Sequence, residues 1–118
     1  MELPQTLELK QSPIHGLGIF AKQTIPKNTK LGRYTGDHYT LKEFKAKYGK
    51  DISHCYVSRR TNLIICAKEK RNFMTYINES KDPNVFLKSF VLITHRVINE
   101  GEELFLHYAD DYPRDYKL

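Results

Sequence analysis

Residues 76–84 read Tyr76-Ile77-Asn78-Glu79-Ser80-Lys81-Asp82-Pro83-Asn84, and the fold turns on how that stretch is understood. Taken alone it is a turn. Asn, Ser and Asp side chains bond to nearby backbone groups, and proline fixes φ and removes a donor, so the string ends an extended segment without any ligand. The two asparagines, serine and proline follow directly on an apolar segment. The rest of the chain decides whether these groups have more to do.

Working outward, the flanks are strand material. Downstream, "NVFLKSFVLITHRVI" is apolar and broken near Lys88-Ser89, Asn99-Glu100-Gly101-Glu102 makes a turn, and "ELFLHY" reads as a last strand. In that strand Leu104, Leu106 and Tyr108 share one face, while Phe105 and His107 take the other. Upstream, "HCYVS" and "NLIIC" are rich in β-formers. Before them, "LKEFKAKYG" places Leu41, Phe44 and Tyr48 at i, i+3 and i+7 ahead of Gly49, which predicts a short helix. "LGIFAKQTI" ends at Pro26-Lys27-Asn28 and is followed by "TKLGRYTG", a spacing that predicts a hairpin. The tail "ADDYPRDYKL" is polar and aromatic, and its proline excludes a central strand. The pattern is mainly β, with one or two short helices.

The 118 residues fit one domain, and 40% hydrophobic with 28% charged residues permits a packed core. No apolar run approaches the roughly 18 residues of a membrane span. The opening "MELPQTLELKQ" lacks the basic start and apolar stretch of a signal peptide, so an intracellular, non-secreted protein is expected. Cys55 and Cys66 form no CxxC pair, and the five histidines are scattered, so no metal site is expected. The formal charge is +5. Its basic clusters, Lys42 to Lys50 and Lys68 to Arg71, lack the interleaved aromatics of a single-strand platform. They read as solvated faces, with neither direct nucleic-acid binding nor a membrane surface expected.

Three segments look chemical only in combination. In "HGLGIF", Gly16 and Gly18 allow a tight turn and close backbone approach, yet a lone GxG is a weak motif. "INESKDPN" and "GEELFLHY" are ordinary when read separately. Their order and spacing, with Tyr34-Thr35-Gly36-Asp37 between, resemble the SET domain family of protein lysine methyltransferases. Gly16-Leu17-Gly18 is similar to the family's N-terminal GxG, and Tyr34 to Asp37 to its "YxGE" stretch. Asn78-Glu79-Ser80 stands in the place of "NHS", Pro83-Asn84 of the downstream "PN", and Gly101 to Tyr108 of "GEEL…Y". The resemblance spans about residues 7–112, leaving 109–118 as a tail. It is closest to the minimal virus-encoded members, which share "SKDPN" and "Y-x-D-D-Y" and lack zinc-binding segments.

That resemblance implies a single SET domain over residues 1–118, with several small sheets and a C-terminal pseudoknot in which the last strand passes under the loop quoted at the outset. It implies S-adenosylmethionine as cofactor and a protein substrate presenting a lysine, with a histone tail expected. Tyr108 matches the terminal catalytic tyrosine. Tyr56 matches a residue lining the lysine channel and touching the cofactor, and Leu106 belongs to the same channel. Backbone groups of His15, Gly16, Leu17 and Gly18 are expected at the methionine portion of the cofactor, Asn78 and Glu79 at its polar and adenine portions, and Tyr112 over the adenine.

Two positions depart from the family pattern. Glu79 stands where histidine is usual, and Leu106 where phenylalanine or tyrosine is frequent, which leaves the number of methyl groups open. The resemblance further implies a homodimer and a nuclear or host-nuclear location. The alternative reading is a non-catalytic SET-like module that binds chromatin or another protein.

Overall fold

The computed structural model describes residues 2–57 and 63–107. The described residues form four small sheets rather than one large one. Strands β1 (Leu7–Gln11) and β2 (Leu17–Ala21) form an antiparallel pair, with Leu9 opposite Ile19 and Gln11 opposite Leu17. The turn between them is closed by Ser12. Its N–H donates to Gly16 O at 2.7 Å, while its Oγ accepts from the N–H of Ile14 at 3.0 Å. Gly16 supplies the left-handed φ of 49° that the reversal needs, at no steric cost.

The expected hairpin between the second and third strands does not form. Strand β3 (Lys30–Arg33) instead pairs antiparallel with a strand near the far end of the chain, Val91–Thr94. The intervening loop is held elsewhere. Ile25 and Ile98 exchange backbone hydrogen bonds of 2.8 and 2.9 Å, and the fully buried Thr94 donates its hydroxyl to Pro26 O while accepting from Thr29 N–H. These long-range bonds carry the chain from one sheet to the next. Local spacing could not reveal a partner more than sixty residues away.

The helix forms as expected. After β4 (Asp37–Thr40), α1 (Leu41–Tyr48) opens with a capping box: Glu43 N–H donates to Thr40 Oγ1, and Thr40 N–H donates to the Glu43 carboxylate. Gly49 ends it at a φ of 66°. Strands β5 (Cys55–Val57) and β6 (Leu63–Cys66) join β4 in the order β4-β6-β5. Phe44 from α1 is fully buried in a small core with Cys55, Val57, Ile64 and Cys66.

A single 3₁₀ turn, Phe73–Tyr76, precedes β7 (Asn78–Glu79). The sequence allowed a second short helix but did not place it. Strands β8 (Val85–Lys88) and β9 (Val91–Thr94) make a tight hairpin at the predicted break, adding to β3 in the order β3-β9-β8. The last strand, β10 (Phe105–Leu106), runs parallel to β7. Parallel neighbours need a crossover, here the whole β8–β9 hairpin. Leu104 and Leu106 are buried and Phe105 and His107 less so, as the alternation predicts.

The segment 103–106 is bonded on both edges. On one side Leu104 N–H donates to Ile19 O at 2.8 Å, and Leu106 O accepts from Ser80 N–H at 2.9 Å. On the other, Asn84 donates its side-chain amide to Glu103 O at 2.8 Å and accepts from Phe105 N–H at 2.7 Å. Asn84 also donates its backbone N–H to Phe105 O. The stretch quoted at the outset thus wraps the last strand: β7 lies on one edge of it and Asn84 on the other. This is the expected pseudoknot, and around it sits the larger core, including Ile19, Ile25, Met74, Leu92, Ile98, Leu104 and Leu106.

Candidate active site

The pseudoknot joins some of the sequence-predicted residues by hydrogen bonds. Asn78, on β7, donates its side-chain amide to His15 O at 3.0 Å, Leu17 O at 3.3 Å and the Glu103 carboxylate at 2.8 Å. The Gly-Leu-Gly turn and the asparagine motif, sixty residues apart, are therefore one unit. Gly18 is glycine for a packing reason: a Cβ there would run into the Glu103 carboxylate. Gly16 faces open space.

Beside this unit is a cleft of about 290 Å³, lined by Tyr34, His54, Met74, Thr75, Ile77, Asn78 and Glu79. That volume is at the lower end of the range for small-molecule sites. Glu79 brings a carboxylate where histidine was expected, and His54 brings an imidazole from a different segment, at a left-handed φ of 59°. Partial desolvation and, secondarily, Arg71 and Lys68 hold the His54 imidazole below its usual range, so it is largely neutral at pH 7.

A second cleft, about 280 Å³, is lined by Arg33, Tyr34, Thr35, Gly36, His38, Ile65 and Phe90. Tyr34 is the wall common to both clefts. It lies 5.8 Å from Tyr56, ring centre to ring centre, and Tyr56 meets Phe90 edge-on at 5.3 Å. Both tyrosines are nearly buried, so the two clefts meet across an aromatic wall. Leu106, fully buried on β10, pairs in register with Glu79.

The expected site residues that fall among the described ones can each be located. His15, Gly16, Leu17, Gly18, Asn78 and Glu79 gather around the first cleft or its hydrogen-bonded rim, while Tyr56 stands in the aromatic wall. Tyr108 and Tyr112 lie outside the described residues. Sequence reading gave no role to Phe90, His54 or Ser12, and it placed Tyr34 and Glu103 within family motifs without giving either one a contact in the cofactor site. Tyr34 could have been found from its motif, since Gly36 two residues later must be glycine: a Cβ there would strike the Cys66 carbonyl. Phe90 carried no such signal. It occupies the second position of the β8–β9 turn at a φ of 71°, after Ser89 at 49°, where Asn-Gly is the common choice.

The described residues suit a cofactor with an amino-acid portion and a base. A glycine-rich backbone offers close approach, and Asn78 Oδ1 has no hydrogen-bond partner among the described residues. The cleft beside it mixes apolar with polar walls. The SET domain model matches residues 16–109, most of the chain. The chain belongs to the SET domain family. Relatives include the histone-lysine N-methyltransferase MEDEA of Arabidopsis thaliana, 33% identical over 110 residues, covering 84% of this chain and 16% of the relative. Another is the histone-lysine N-methyltransferase CLF of Oryza sativa subsp. japonica, 30% identical over 115 residues, covering 88% of this chain and 13% of the relative. This SET chain thus spans about a sixth or less of the length of these curated relatives.

Solved structures agree on the fold. One is a humanized mutant of the Chaetomium thermophilum Polycomb Repressive Complex 2 bound to an inhibitor, with a TM-score of 0.78 at 24% identity, covering 93% of this chain and 16% of that one. Another is ctPRC2 in an autoinhibited conformation bound to S-adenosylmethionine, with a TM-score of 0.78 at 23% identity and the same coverage.

Proposed function

We propose that this SET chain is an S-adenosylmethionine-dependent protein-lysine N-methyltransferase acting on a histone lysine. The observation that carries the reading is that a cleft of mixed apolar and polar walls beside the Asn78 unit and a second cleft walled by Phe90 share Tyr34, which packs on Tyr56. A transferase that joins a small cofactor to a long side chain needs two entrances and a common wall. Membership of the family and the activity named for MEDEA and CLF support the same reading.

S-adenosylmethionine, when bound, supplies a methyl group on a sulfonium, an electrophile needing only an aligned neutral amine. His15 to Gly18, Asn78 and Glu79 are the residues that would hold it, with Tyr112 over the base. Lysine is the harder partner. Holding it neutral at pH 7 costs about 4.6 kcal/mol from its ordinary pKa. Tyr34 and Phe90 line the second cleft and Tyr56 packs against both; with Leu106 assigned to the same channel, these side chains would disfavour the ammonium form. Aromatic walls would also restrict the lysine stem, so alignment would supply further acceleration. Tyr108, two residues past Leu106, is assigned the hydroxyl next to the reacting atoms.

The test is transfer from labelled S-adenosylmethionine to a panel of core histones and other lysine-rich proteins. Incorporation into one histone, falling roughly hundredfold in Tyr108→Phe, is the expected result. Labelling confined to a non-histone protein would keep the enzyme and discard the histone. One observation favours a second reading, a non-catalytic binding module: Glu79 puts a carboxylate where the family has histidine. That reading requires no transfer and no protection of the fold against heat by the cofactor.

Kinship with the minimal virus-encoded members, a homodimer and a nuclear location belong to the same proposal. The shared "SKDPN" and "Y-x-D-D-Y" strings support the kinship. A sedimentation mass of one chain at working concentration would remove the dimer.

A further inference from the structure

Beneath the Asn78 unit lies a carboxylate that the proposed reaction has not used. Glu103 is nearly buried, with 8% of its surface exposed, and so is Ser12. Ser12 donates its hydroxyl to Glu103 Oε1 at 2.8 Å, and Asn78 donates its amide to Glu103 Oε2 at 2.8 Å. Both donors are neutral, and Glu103 is in no ion pair among the described residues. A buried carboxylate without a counter-charge is costly, and hydrogen bonds from neutral groups offset that cost only in part.

The same bonds fix the direction of the Asn78 amide. Its NH₂ group has two hydrogens and is directed at three acceptors: His15 O, Leu17 O and Glu103 Oε2. That leaves Oδ1 as an acceptor at the edge of the cleft that Asn78 lines. Ser12 completes the arrangement from the loop side, since its Oγ also accepts from the N–H groups of Ile14 and His15. Three segments, residues 12–18, 78 and 103, are thereby tied at one carboxylate. An outward acceptor backed by a fixed negative charge is the environment a primary ammonium group would seek.

We propose that Ser12 and Glu103 are positioning residues that set the Asn78 amide and the Gly-Leu-Gly turn for a ligand carrying a primary ammonium group, with the Glu103 carboxylate as the fixed counter-charge behind Asn78. The inference rests on the methyltransferase reading, in which that ammonium belongs to the methionine portion of the cofactor. Neither residue touches the reacting atoms. Their effect is on affinity for the amino-bearing ligand, through the orientation and charge of the site.

The test is calorimetric titration of the full chain with S-adenosylhomocysteine and with its analogue in which the α-amino group is replaced by hydrogen. The intact chain is expected to prefer the amino form by roughly tenfold or more, the strength of a charge-assisted hydrogen bond. Glu103→Gln, which keeps shape and removes charge, is expected to shrink that preference to about twofold or less. Ser12→Ala is expected to lose part of it, with Ser12→Thr restoring it. A purely structural role would weaken both ligands equally, and that result overturns the inference, as does an unchanged preference in both variants. Should Glu103→Gln fail to fold, the Ser12→Ala and Ser12→Thr pair decides. Failure of the intact chain to bind S-adenosylhomocysteine at all overturns the methyltransferase reading itself, a result distinct from the loss of preference.

Discussion

Gly36 sits where no side chain can. A Cβ at that position would strike the Cys66 carbonyl, part of the backbone and unable to move aside. Gly16 presents the opposite case, with open space but a left-handed φ of 49°. The two glycines should therefore respond differently to the same change. Gly36→Ala is expected to cost about 2–3 kcal/mol through displaced backbone, and Gly16→Ala about 1 kcal/mol through conformational preference alone. Urea denaturation of the two variants compares them directly, and equal losses would refute the steric account of Gly36. At this scale the sequence was legible wherever backbone geometry demands one residue type. It was not legible at Phe90, whose left-handed turn position costs about 1–3 kcal/mol and is held only by surrounding contacts. One of these is the 2.6 Å bond from Tyr34 N–H to Phe90 O.

Helix α1 shows local and tertiary terms acting on one element. Its capping box is exposed, and the hydrogen bonds from Thr40 hold the Glu43 carboxyl below its usual range. A depressed carboxylate contributes stability above its ordinary value and loses it as pH falls through the depressed one. Phe44 is the tertiary term, fully buried against β5 and β6. Phe44→Ala is expected to cost about 3–5 kcal/mol and Thr40→Ala about 1 kcal/mol, with only the second smaller in acid than at pH 7. Thermal melts at the two pH values measure both. The element was readable because its periodicity and its stop lie within ten residues. The second and third strands were misread as a hairpin for the converse reason. Ile25 bonds to Ile98 and β3 to β9, and nothing near Pro26 announces partners so distant.

The whole molecule depends on Asn84. It is fully buried, and its side chain bonds to both Glu103 O and Phe105 N–H. Asn84→Ala leaves both backbone groups without those partners, an expected loss of about 2–4 kcal/mol. Protection of the Phe105 amide against hydrogen exchange should fall with it. Loss of stability with that amide still protected would mean that the strand is held by β7 alone. The crossing itself was legible only through resemblance, because composition and periodicity describe strands one at a time and say nothing of what passes under what. The site that depends on the crossing was legible in part. Its motifs were visible, but the carboxylate joining them was one of two adjacent glutamates in an unremarkable turn.

A strand gripped on both edges also has a history. Residues 103–106 emerge from the ribosome after Asn84, so the loop that clasps them exists before they do, and it must stay open or reopen to admit them. Closing the clasp early leaves the Gly-Leu-Gly turn unjoined to Glu103. A chain with residues 103–106 outside the clasp would lack both the bond that joins Asn78 to Glu103 and the core contacts of Leu104 and Leu106.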